Sequence, residues 1–152
     1  MGILTDDMKR VVNEQRLGFV ATVCADGTPN LSPKGTTTVW DDDHLIFADI
    51  HSPGTIANLR RNPSTEINVV DPIVRKGYRF KGTATVLTDG ERFERALAFF
   101  RARGVTAAIG GVVLIRVEYA DALISPAYEA PGVTEQVVRA GWREYFRSLE
   151  HS

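Results

Sequence analysis

Short β-forming runs, each closed by a turn signal, fill the middle of this chain and restrict its fold more than any other feature. GFVATVC (18–24), NLSPKGTTTVW (30–40), HLIFAD (44–49), TEINVV (65–70), YRFKGTATVLT (78–88) and GGVVLIRVEYADALI (110–124) are rich in β-branched and aromatic residues. Asp26-Gly27 is a hairpin turn signal, Asp41–Asp43 turn the chain again, and PIVRKG is a loop. No long βα alternation favours a doubly wound parallel sheet. The pattern predicts a mainly β fold with flanking helices: a six-stranded, mostly antiparallel small barrel.

The helices have their own signals. Thr5 precedes Asp6 and Asp7 as an N-cap, and Met8, Val11 and Val12 follow at helical spacing. Thr55 is expected to cap a short helix carrying Ile56 and Leu59, stopped by Asn62-Pro63. Asp89 opens a helix with Phe93, Leu97 and Phe100 on one face and Gly104 as its stop. A last helix over about 134–150 aligns Val138, Trp142, Tyr145 and Leu149, a stripe expected to pack on the barrel. Residues 1–152 read as a single domain, with no repeats.

Several function classes are disfavoured. A net charge of −1 gives no case for nucleic acid or a membrane surface. No apolar run approaches the roughly 18 residues of a membrane span. The start MGILTDDMKR lacks the charged-then-apolar order of a signal peptide, so a cytoplasmic protein is expected. Cys24 is alone, which rules out an internal disulfide or CxxC site, and it reads as a small buried hydrophobe. His44, His51, Asp42, Asp43 and Asp49 read as polar loop residues, so no metal site is expected. No Ser/His/Asp or Cys/His nucleophile arrangement stands out.

The second run contains an anomaly. Pro33, Lys34 and Gly35 interrupt a segment that otherwise wants to be a strand. Proline has no N–H to donate, and glycine packs nothing. Split by parity, Leu31, Pro33, Gly35, Thr37 and Val39 form a small, mostly apolar face suited to a barrel interior. Asn30, Ser32, Lys34, Thr36, Thr38 and Trp40 form a polar face. The fifth run divides likewise: Tyr78, Phe80, Gly82, Ala84 and Val86 against Arg79, Lys81, Thr83 and Thr85. A break of this kind opens the backbone to close approach by something flat. About twenty residues on, Ser52, Gly54 and Thr55 gather hydroxyls and free amides at a helix start, which suits an anion. A flat group joined to an anion describes a nucleotide-like cofactor.

The ordered series LGFVATVCADGTPNLSP, DDDHLIFADIHSPGTIANLRRNP and GYRFKGTATVL resembles the FMN-binding split-barrel family related to pyridoxamine 5'-phosphate oxidase, over roughly residues 5–125. The resemblance implies a split barrel that forms a homodimer, with FMN in the interface grooves. It implies that Ser32, Pro33, Lys34, Gly35 and Thr36 line the flavin edge. Ser52, Gly54 and Thr55 would form the phosphate turn. Arg79, with Lys81 on the same strand, would reach the flavin from the other subunit. The phosphate turn lacks the Arg-Lys pair of the oxidase, so pyridoxamine phosphate is not the expected substrate. The expected function is an FMN-dependent oxidoreductase acting on a small molecule. A non-enzymatic FMN electron carrier, or the same barrel holding haem or a deazaflavin, are the alternatives.

Overall fold

The computed structural model describes residues 1–152. Seven strands form one antiparallel sheet curled into a split barrel: β1 (Gly18–Val23), β2 (Pro29–Lys34), β3 (Thr38–Val39), β4 (His44–Asp49), β5 (Ser64–Asp71), β6 (Lys76–Leu87) and β7 (Gly111–Ile124). Their spatial order is β2-β1-β5-β6-β7-β4-β3. Four helices flank it: α1 (Asp6–Gln15), α2 (Pro53–Arg61), α3 (Gly90–Ala102) and α4 (Glu135–Leu149). No helix is long and apolar enough to cross a membrane.

The main core lies inside the curl, where Val20, Leu45, Phe47, Ile67, Phe80, Val113 and Ile115 meet Val11 and Val12 of α1 and Ile56 and Leu59 of α2. A smaller cluster forms outside β4 and β7, where α3 places Ala96 and Phe100 on Ile46, Ala48, Val112 and Leu114. Burying such side chains supplies about 1.5–3 kcal/mol each, so the two clusters fix which face of each strand turns inward.

Several expectations are corrected. Seven strands form where six were expected, because the anomalous run divides at Gly35–Thr37 into β2 and β3. The inward face of β2 is the opposite of the one expected. Ser32 stands opposite Val20 and Lys34 opposite Gly18, on the buried side, whereas Leu31 is 65% exposed. Parity groups the side chains by face without saying which face turns inward; the pairing partner on β1 decides. The first run is not buried throughout either, since Phe19 faces outward. Helix α2 starts at Pro53, so Ser52, not Thr55, holds the N-cap position, and Thr55 is buried in the first turn. Asp89 holds its N-cap position without a side-chain bond. The apolar face of α4 does not pack away on the barrel: the helix has no buried residue.

Candidate functional site

The end of β2 and the start of α2 meet at Lys34. Its backbone carbonyl closes the following turn, accepting from Thr37 N at 3.3 Å and from the Thr37 hydroxyl at 2.8 Å. Thr36, in the same turn, accepts from Ala48 N at 2.9 Å and thereby ties the turn to β4. So braced, Lys34 directs its ammonium beneath the edge strand, where it donates to Ser32 Oγ at 2.8 Å and Ser52 Oγ at 2.7 Å. The residue is only 9% exposed. Burial lowers the Lys34 pKa below its ordinary value, and the nearby Asp49 carboxylate opposes that shift. Asp49 Oδ1 itself accepts from Ser52 N at 2.9 Å.

The arrangement is electrostatically incomplete. An ammonium withdrawn from water is stabilised by a direct anionic partner. Here its direct partners are two neutral hydroxyls. Beside them, Gly54 and Thr55 begin α2, where backbone amides lack intrahelical acceptors and the dipole is positive. A methyl group built on Gly54 would meet nothing within 4 Å, so the turn is open to a ligand.

A second feature adjoins the first. Arg16, Gly35, Thr36, Thr37, Thr38, Arg103 and Val105 line a pocket of about 390 Å³. Arg16 terminates α1 in a left-handed conformation (φ 53°), and Arg103 terminates α3. Neither guanidinium pairs with a carboxylate. Between them the amides of Gly35 and Thr36 donate to nothing in the chain. Thr36 accepts through its oxygen and keeps its own hydrogen free to donate. The sequence reading missed both arginines. Each looks like an ordinary basic residue near a helix C-terminus, and only the folded chain brings the two ends to one turn.

Of the expected site residues, Ser32, Lys34 and Ser52 are joined by hydrogen bonds, and Gly35, Thr36, Gly54 and Thr55 flank them. Pro33 lies on the outward face of β2, paired with Phe19. Arg79 and Lys81 are elsewhere. They stand on the outer face of β6, bound to Glu66 at 3.2 and 3.7 Å, across two strands from β2. Within one chain they do not converge with Lys34.

Comparisons with known proteins place the fold. The chain is similar to Group A Streptococcus HupZ, with 37% identity and a TM-score of 0.74 over 81% of this chain and 96% of that one. An FMN-binding protein of Syntrophomonas wolfei shares the fold at 18% identity, with a TM-score of 0.67 over 78% of this chain and 85% of that one. An uncharacterised protein of Methanocaldococcus jannaschii is 29% identical over 90 residues, which span 58% of this chain and 59% of that relative's length. Residues 4–123 match the profile of the pyridoxamine 5'-phosphate oxidase family, and the chain belongs to that family.

Proposed function

We propose that this protein binds FMN and uses it as an oxidoreductase on a small anionic molecule. The observation that carries the reading is the Lys34 ammonium, buried between Ser32 and Ser52 at the opening of α2 without a directly bonded anion. A phosphate monoester fits this chemistry. It brings the missing charge to Lys34 and accepts from the amides of Gly54 and Thr55. The S. wolfei relative adds support at the level of the fold.

Bound flavin would supply hydride and electron transfer; the residues of this chain supply placement and charge. Lys34 and Ser52 hold the phosphate end. The turn at Gly35 and Thr36 gives the flat ring a surface without bulky side chains. Arg16 and Arg103 bind the anionic group of the substrate next to that turn and orient it. This second pocket favours an enzyme over a simple electron carrier, because a carrier needs no site for a small anion.

The outer sheet face supports a homodimer. Phe19, Leu31, Val70 and Tyr119 are exposed there. A C2 pair covers such a face, and it would carry Arg79 and Lys81 to the partner's site.

The protein is expected to purify yellow. Denaturation should release FMN, identified by its mass and chromatographic retention; haem, a deazaflavin, or failure of the apoprotein to take up FMN would refute the assignment. Titrating holo-protein with phosphate esters and short carboxylates should perturb the flavin spectrum. Arg16→Ala and Arg103→Ala should each weaken that response about ten-fold, the effect of losing one charge-assisted hydrogen bond, with FMN affinity unchanged. Equal responses in wild type and both variants would remove the arginines from the site.

A further inference from the structure

The turn between β5 and β6 presents an arginine to helix α4 and leaves its charge uncompensated. Arg75 adopts a left-handed backbone at φ 57°, a conformation that glycine or asparagine takes more readily. Its guanidinium lies 3.6 Å from the centre of the Trp142 ring. Stacking of this kind covers the face of the cation and leaves its in-plane N–H groups to find acceptors. The chain supplies none. No carboxylate pairs with Arg75, and its Nε is buried without a hydrogen-bond partner. A guanidinium held in this way is suited to an anion.

The cation opens on an apolar groove of about 900 Å³ between α4 and the segment 125–127, a volume within the range of small-molecule sites. Trp142, Tyr145 and Phe146 build one wall, with ring centres 5.5–6.2 Å apart, and Leu149 continues it. At the helical rise, Trp142 to Leu149 is about 10 Å of wall. Gly141 lines the same groove, and a methyl group built on it would meet nothing within 4 Å. Glycine inside a helix weakens the helix, and here it leaves space beside Trp142. None of these residues belongs to the Lys34 site or to the pocket of Arg16 and Arg103. The combination of an apolar channel with one unpaired cation selects an amphipathic anion over a wholly apolar or wholly polar molecule.

We propose that this groove is a second binding site, and that it takes an aliphatic monocarboxylate. The carboxylate accepts from the Arg75 guanidinium, and the chain lies along Trp142, Phe146 and Leu149.

The test titrates octanoate, and 1-octanol as its uncharged counterpart, into the full-length protein by calorimetry, with circular dichroism as the check on folding. Octanoate should bind at least ten-fold more tightly than octanol, the effect of one charge-assisted bond. Arg75→Gln should remove that advantage, weakening octanoate at least ten-fold and leaving octanol unchanged. Gly141→Leu should weaken both at least ten-fold by filling the groove, while its denaturant midpoint rises because leucine forms helix better than glycine. No binding of octanoate, or equal binding of octanoate and octanol, would overturn the proposal. So would octanoate binding that either variant leaves unchanged. Octanoate binding that is lost in Arg16→Ala and kept in Arg75→Gln would place the ligand in the other pocket and equally overturn this one. Should Arg75→Gln fail to fold, the ratio of octanoate to octanol affinity in the wild-type protein, together with Gly141→Leu, decides the matter.

Discussion

Lys34→Met is expected to lower FMN affinity by about ten- to a hundred-fold while riboflavin binding changes little. The charge-assisted bond to phosphate contributes roughly 1.5–3 kcal/mol, and riboflavin has no phosphate to lose it. The same substitution should leave the apoprotein as stable as wild type, or more so. Burial holds the Lys34 pKa below its ordinary 10.5, so the folded apoprotein disfavours the charged form, and methionine carries no such cost. The sign of the pH dependence follows. Between the lowered folded pKa and the unfolded value, the unfolded chain binds more protons, so wild-type apoprotein gains stability as pH rises through that window. Lys34→Met should lack that gain. Titration with both flavins, and melting curves against pH, measure these effects. Equal loss of FMN and riboflavin would place Lys34 at the ring, the role implied by the resemblance, and the flavin midpoint potential should then fall in the variant.

Gly82→Ala is expected to destabilise the protein by on the order of 3 kcal/mol or more. Strand β6 changes register against β7 between Lys81 and Gly82, and a methyl group on Gly82 would lie 2.0 Å from the Arg116 carbonyl oxygen and 2.9 Å from its carbon. Neither backbone atom can yield without disturbing the ladder, so the cost exceeds ordinary overpacking of about 1–3 kcal/mol. Gly54→Ala is the control. Its methyl group enters open space in the first turn of α2, and helix propensity favours alanine by up to about 1 kcal/mol. Denaturant midpoints of the two variants should move in opposite directions. A Gly82→Ala midpoint within error of wild type would show that the bulge relaxes at little cost.

How far the sequence revealed this protein depends on the range of the interaction involved. Strand positions and turns were legible because they follow from local chemistry: Asp26-Gly27 does join β1 to β2, and Thr5 and Thr134 do cap α1 and α4. The inward face of β2 was not legible, since it depends on which residue of β1 stands opposite. The division of the anomalous run was half legible: Pro-Lys-Gly announced a break, and the break lies just after it. At the site, Lys34 and Ser52 could be named, but not the bond between them, which spans 18 residues in sequence. Arg16 and Arg103 come from the ends of two different helices and had no local signature. The outward placement of the α4 stripe was hidden for another reason. An amphipathic helix states that it needs a partner and says nothing about whose surface provides one.

The prolines that broke the pattern of β2 also bear on how this protein avoids its own copies. The strand is one edge of the sheet, and an edge strand can recruit a foreign strand through its row of outward amides. In an antiparallel ladder, alternate residues turn their N–H groups toward the neighbour and away from it, so positions 29, 31 and 33 share the outward direction. Pro29 and Pro33 occupy the first and last of these and have no hydrogen to offer. Leu31 is left as a lone outward donor between two silent positions, too little to template a growing sheet. The sequence thereby keeps an apolar, exposed edge from seeding fibrils while its broad outer face stays free for orderly pairing.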